Sequence, residues 1–337
     1  MDAVEEGASW VGRRAPELVC AGKWLNSEPL SLEGLAQARK IVLLEFLSYS
    51  CVNCIRTFSA LDRWWGQYKD VGLVIIGIHT PEFEFEKDAE NLRQALEKCG
   101  LRIPVMQDND YLTWKAFANR YWPRKFLLDK EGNVVYDRVG EGHYEETERK
   151  IRELLGLRRE PTKETGKGEP LAATAGTEGR PLTGELYVGY ARGLIGNIEG
   201  FEPDEEIEYA TPEYREDEIV YVKGRWMSRA QYMHHSRDTP GKEDYACVRF
   251  YGRSVNGVLA PAHGQAFTLQ VEIGGKPLGL KQAGKDVKYD ACGRSFVEVR
   301  EARMYELVSG NNPLDWHDLK LISDSREYCL YSLTFGI

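Results

Sequence analysis

Apolar and polar residues change their rhythm about halfway along the chain. In the first half, strand-length apolar runs alternate with segments whose apolar residues recur every three or four positions. Residues 40–47 are continuously apolar after Lys40 except for Glu45, which predicts a central strand buried on both faces. Residues 51–70 follow with Ile55, Phe58, Leu61, Trp65 and Tyr68 at helical spacing. Residues 73–78 read as a second buried strand and 82–98 as a charged helix with Phe83, Phe85, Leu92 and Leu96 as its apolar positions. A short strand at 102–106 and a short helix at 110–121 come next. Strands at 125–129 and 133–136 flank Lys130-Glu131-Gly132, a hairpin turn, and a helix over 144–157 closes the series. Residues 29–35 read as a strand or short helix ahead of this core. The alternation predicts an α/β domain over 1–157, a mixed sheet with helices on both faces and loops at the carboxyl ends of its strands.

Residues 158–181 hold almost no large apolar side chain and read as a linker or exposed loop. Beyond it, over 182–337, helical periodicity disappears. Short alternating runs at 218–222, 245–251, 266–273, 295–299, 304–308, 319–322 and 327–335 predict an antiparallel β-sandwich, with Gly274-Gly275 as a hairpin signal.

Composition adds limits. The chain has 337 residues, 42% apolar and 29% charged, with a net charge of −9 and no dense basic run, so nothing favours nucleic acid as a partner. No apolar run approaches the roughly 18 residues that span a bilayer, so no membrane insertion is expected. The acidic start, Met1 to Glu6, is not a secretory signal; the expectation is a cytoplasmic protein, or else an extracytoplasmic domain of a longer or processed one. Five of the seven cysteines, Cys20, Cys99, Cys247, Cys292 and Cys329, are scattered without paired spacing, which argues for buried, reduced side chains and against a disulfide framework.

The remaining two, Cys51 and Cys54, sit where the first strand turns into its helix. Three positions apart on a first helical turn, they share a face and are close enough to form a disulfide. A helix N-terminus, with its partial positive charge and unpaired N–H groups, favours thiolates. This is the arrangement of thiol–disulfide chemistry. Cys51, nearer the helix end, is the expected nucleophile and Cys54 the resolving thiol, acting through a mixed disulfide. Burying Glu45 within an apolar strand would cost several kcal/mol unless it is protonated or bonded. That raises its pKa and suits it as the base that takes the Cys54 proton; the alternative is an edge or solvent-facing Glu.

Glu45-Phe46 followed by Tyr49-Ser50-Cys51-Val52-Asn53-Cys54, then 77–83, and then 108–111 with Tyr121-Trp122-Pro123, resemble the thioredoxin superfamily, more narrowly the branch of TlpA and DipZ type proteins. The resemblance covers residues 8–157. It implies a thioredoxin-like fold, Pro123 as a cis-proline facing the cysteine pair, and Trp122 as the residue whose backbone pairs with an extended substrate. Val52, Asn53, Trp122 and Pro123 are accordingly the expected substrate-contacting residues, and Glu45 matches the buried acid of thioredoxins. The Val52-Asn53 dipeptide has neither the Pro of reducing thioredoxins nor the His of oxidising enzymes, and the lack of that His tilts the reading toward a reductant. The second half resembles, more loosely, the carbohydrate-binding-module-like jelly roll that follows the thioredoxin domain in DipZ proteins, through 187–192, 224–226 and 333–336.

The expected activity is thus reduction of protein disulfides with no cofactor beyond the Cys51–Cys54 disulfide. Its partners would be a disulfide-containing protein and an upstream thiol donor. Two other readings compete: a thiol peroxidase using Cys51 alone, for which Ser48 fits but Leu44 stands where Pro is expected, and a binding protein whose sandwich holds a partner or glycan. A glycan is the weaker partner, because Trp226, Trp316 and the tyrosines of a sandwich are more often core. No metal is expected, since Cys51 and Cys54 supply two ligands and adjacent His234 and His235 point to opposite faces of a strand. His79, His143, His263 and His317 show no evident partner, and Glu82, Glu84 and Glu86 read as a solvated helix start.

Overall fold

In the computed structural model residues 9–157, 180–239, 241 and 244–337 are described, and the chain divides into two compact units, Met1–Leu171 and Ala172–Ile337. Positions 158–179 of the expected linker lie outside the described residues.

The first unit runs β1 (Trp24–Leu25), α1 (Leu32–Gln37), β2 (Ile41–Leu47), α2 (Val52–Tyr68), β3 (Leu73–His79), α3 (Ala89–Cys99), β4 (Val105–Gln107), α4 (Leu112–Ala116), β5 (Arg124–Leu128), β6 (Val134–Val139) and α5 (Tyr144–Leu154). Its sheet has the order β1-β4-β3-β2-β5-β6, with β4, β3 and β2 parallel and the other pairs antiparallel. This is the mixed sheet expected of a thioredoxin-like fold. Every residue of β2 is buried, and its side chains alternate between two cores. Ile41, Leu43 and Leu47 join Phe58, Leu61 and Trp64 of α2, whereas Val42, Leu44 and Phe46 join Leu32, Phe117 and Phe126 on the other face. Glu45 has the parity of Leu43 and Leu47, so it lies on the face that α2 covers.

Two helices are shorter than their apolar spacing suggests. The charged helix expected over 82–98 is a 3₁₀ turn, Glu84–Lys87, followed by α3. Asp88 separates them: its carboxylate accepts from the N–H groups of Glu90 (2.7 Å) and Asn91 (3.1 Å) and so starts a new helix. Between 110 and 121 only Leu112–Ala116 is helical.

The second unit is built of β7 (Leu186–Tyr187), β8 (Glu206–Tyr209), β9 (Tyr221–Ser228), β10 (Met233–His235), β11 (Tyr245–Gly252), β12 (Ser254–Pro261), β13 (Phe267–Ile273), β14 (Lys276–Pro277), β15 (Val287–Tyr289), β16 (Ser295–Val299), β17 (Arg303–Val308), β18 (Asp315–Ile322) and β19 (Tyr328–Gly336). All of these strand pairings are antiparallel. The pairings form two sets, β15-β16-β13-β18-β11-β9 and β9-β10-β19-β12-β17, which share β9. Residues 221–223 of β9 pair with β11 and residues 226–228 with β10. At the changeover Gly224 has φ +101, and a Cβ there would lie 2.0 Å from the Asp244 carboxyl carbon. Val248 and Leu321 from one set and Leu259 and Leu330 from the other share one core with Trp226, the arrangement of a β-sandwich. Gly274 and Gly275, at φ +59 and +71, turn β13 into β14 as the hairpin signal indicated. Trp226 is core; Trp316 is half-buried, with the guanidinium of Arg180 at 4.3 Å and that of Arg249 at 5.3 Å from its ring.

Candidate functional site: a buried acid beneath a cysteine pair

The strand-to-helix turn after β2 carries the two cysteines. Cys51 is the N-cap of α2, with extended backbone (φ −79, ψ 115) and no capping bond from its side chain, and its carbonyl accepts the N–H of Ile55 at 3.0 Å. Cys51 is half-buried and Cys54 fully buried; both are free thiols. Val52 and Asn53 lie between them, half-buried and exposed respectively. Burial pushes the Cys54 thiol well above its ordinary pKa, and its hydrogen bond with Cys51, the charge of Cys51 and that of Glu45 push the same way.

Glu45 is fully buried, so the edge or solvent-facing alternative is excluded. Among the described residues neither of its carboxylate oxygens has a hydrogen-bond partner, and the Lys125 ammonium, also fully buried, stands 3.4 Å from Oε1. Burial raises its pKa to about 7, with Lys125 opposing that rise. Lys125 faces Glu45 because β5 pairs with β2 in that register. Its ammonium is also 3.4 Å from the carbonyl of Gly140. A buried acid that titrates near neutrality is able to exchange a proton with a neighbouring thiol.

Pro123 is buried and follows a cis peptide bond from Trp122. Trp122, Cys51 and Cys54 belong to one apolar cluster. The Trp122 indole N–H donates to the Thr80 carbonyl at 3.1 Å, and its ring lies 4.3 Å from that of Trp114. Asp108 braces this corner by accepting from the N–H groups of Thr113 (3.0 Å) and Trp114 (2.8 Å) and from the Thr80 hydroxyl (3.1 Å).

Several positions differ from the sequence reading. His263 Nδ1 lies 3.0 Å from Glu327 Oε1, His317 Nε2 3.0 Å from the Pro313 carbonyl and His143 Nδ1 3.4 Å from Glu146, so these three histidines have partners, and Cys20 is only half-buried. Glu86 is not part of a solvated helix start: it is fully buried, and its carboxylate accepts from the Ser48 hydroxyl at 3.0 Å. His79 has a partner, with Nε2 3.3 Å from Glu86. Among the scattered cysteines, Cys247 and Cys329 are buried as expected, whereas Cys99 and Cys292 are exposed. His235 is buried against Asp244 at 2.9 Å and the Ser325 carbonyl at 2.8 Å, while His234 reaches the Arg326 carbonyl at 2.8 Å. Among the described residues no group of three or more His, Cys, Asp or Glu could hold a metal ion, and no helix is long and apolar enough to cross a membrane.

A cysteine pair at the strand-to-helix turn, a buried acid below it and a cis-proline just ahead of β5 in the same unit form the arrangement expected of a dithiol site of the thioredoxin class. Residues 11–137 match the AhpC/TSA family and residues 183–336 match the family described as thioredoxin like C-terminal domain. The chain thus carries a thioredoxin-like first domain and a thioredoxin like C-terminal second domain, and its similarity to DipZ runs through both. It is 30% identical to protein DipZ of Mycobacterium bovis over 305 residues, 88% of this chain and 42% of that protein. The chain thus spans less than half the length of that relative. Over 140 residues, 42% of this chain, it is 25% identical to thiol-disulfide oxidoreductase YkuV of Bacillus subtilis, covering 93% of YkuV. A thioredoxin-like protein solved in its oxidised form is 26% identical, with a TM-score of 0.39, covering 42% of this chain and 95% of the other.

Proposed function

We propose that this protein is a thiol–disulfide oxidoreductase that reduces protein disulfides. The observation that carries the reading is the asymmetry of the pair: a half-buried Cys51 beside a fully buried Cys54, on the sheet face that holds Glu45. The Cys51 thiolate attacks one sulfur of the substrate disulfide, forms a mixed disulfide and releases the first substrate thiolate. Cys54 gives its proton to Glu45 and attacks the Cys51 sulfur, releasing the second substrate thiolate. The substrate gains two electrons, and the protein is left with a Cys51–Cys54 disulfide. A dithiol donor then restores it, so the cycle needs no further cofactor. Val52, Asn53, Trp122 and Pro123 are the proposed substrate contacts. We place the protein in the cytoplasm on its scattered cysteines, with an extracytoplasmic domain of a longer or processed protein as the alternative.

The test is dithiothreitol-driven reduction of insulin, with abolition expected in Cys51→Ser. Activity retained in that variant overturns the assignment. The similarity of residues 11–137 to the AhpC/TSA family favours a second reading, a thiol peroxidase in which Cys51 alone reduces a peroxide. Peroxide consumption that survives Cys54→Ser but not Cys51→Ser would support it.

A further inference from the structure

The three residues between β2 and Cys51 have no regular structure, yet Ser48, Tyr49 and Ser50 are all buried. They are held by a side chain from the turn after β3. Glu86 Oε1 accepts from the Ser48 hydroxyl (3.0 Å) and from the Ser50 hydroxyl in a short contact, and the Ser50 N–H donates to Ser48 Oγ at 3.3 Å. Glu86 Oε2 accepts the Glu82 N–H at 3.1 Å and lies 3.3 Å from His79 Nε2. The His79 ring stacks on Tyr49, with centroids 5.5 Å apart and planes at 15°. The network therefore grips each residue of the segment that delivers Cys51 to the start of α2.

Filling this space with a carboxyl group is costly. A buried carboxyl costs several kcal/mol to desolvate, and an apolar side chain of similar volume would avoid that. What an apolar side chain lacks is acceptors for two hydroxyls and an amide at once. We infer that Glu86 is a positioning residue: resting on the oxidoreductase reading above, it fixes Ser48–Ser50 so that the Cys51 sulfur is held where it attacks a bound disulfide. A glutamine at 86 keeps one oxygen but turns the other acceptor into an N–H donor. Its N–H₂ faces either the Glu82 N–H, where two donors meet, or the serine hydroxyls, which must turn from donating to accepting, so the bonds that hold the segment are rearranged without a change of shape.

The test is steady-state reduction of a disulfide-bonded peptide by the full chain, with dithiothreitol as electron source, for wild type, Glu86→Gln and the double change Ser48→Ala with Ser50→Ala. Folding is monitored by circular dichroism. We expect kcat about tenfold lower in both variants with KM within twofold, because misplacing a nucleophile slows the chemical step and leaves docking intact. Glu84→Gln, an exposed neighbour on the same turn, is the control and keeps wild-type kcat. A folded Glu86→Gln with kcat within twofold of wild type overturns the inference, and the serine pair decides it in the same way should Glu86→Gln not fold. A wild-type protein that shows no turnover overturns the oxidoreductase reading instead, which keeps the two failures distinct.

Discussion

Replacing Glu45 by Gln should remove a pH dependence from the stability of the first unit. Burial raises the Glu45 carboxyl from its ordinary 4.5 to about 7. Below pH 4.5 the group is protonated in folded and unfolded chains alike, and its contribution to stability is fully present. Between pH 4.5 and 7 the folded chain keeps a proton that the unfolded chain has released, so stability falls as pH rises through this window. At about 1.4 kcal/mol per pH unit between 4.5 and about 7, the loss above pH 7 is about 3–4 kcal/mol. Gln does not titrate, so the stability of the variant minus that of wild type should rise by about 3–4 kcal/mol from pH 4.5 to pH 8. Loss of the Lys125 partner moves this difference up or down at every pH without creating the slope. Cys54 is fully buried, so its alkylation in a urea series reports the opening of this unit alone. A difference flat within 1 kcal/mol across the range would refute the buried, proton-holding Glu45. The same variant should slow resolution of a mixed disulfide by a factor of about 10² or more, the usual worth of a positioned base.

Lys125→Met leaves Glu45 buried without its counter-charge and should destabilise the first unit by about 3–5 kcal/mol at pH 8, with a much smaller loss at pH 5, where Glu45 holds its proton; thermal melts at the two pH values check this. In the second unit, Gly224→Ala drives a Cβ against the Asp244 carboxyl at a residue with φ +101. It should cost about 2–4 kcal/mol in urea unfolding followed by Trp226 fluorescence, and leave insulin reduction unchanged.

The sequence shows the parts of this site that are local and hides those that depend on register. The apolar run of β2 and the 3.6-residue periodicity of α2 announce both elements, and Glu45 stands out because nothing else in its strand is polar. Lys125 does not stand out, since a Lys opening a short strand is ordinary until pairing sets it opposite Glu45. Glu86 sits among Glu82, Glu84 and Lys87, and such a run normally faces solvent; only the 3₁₀ turn rotates that one carboxylate inward. In the second unit β12 is absent from the expected strands although its first seven residues are buried, because Asn256 and Gly257 interrupt the apolar pattern of Ser254–Pro261. Gly257 is there for space: a Cβ would come within 3.0 Å of the Leu307 side chain and 3.3 Å of Leu333.

The central claim is that Cys51 and Cys54 form one reversible redox couple. Equilibrating the full chain in dithiothreitol buffers of graded potential, then trapping free thiols with a mass-labelled alkylating agent, measures that couple directly. The account predicts that Cys51 and Cys54 lose their label together, in a single two-electron transition near the thioredoxin value of about −270 mV, while Cys247 and Cys329 remain thiols. Cys51 and Cys54 that stay separately alkylatable at every potential, with no paired transition, would contradict it.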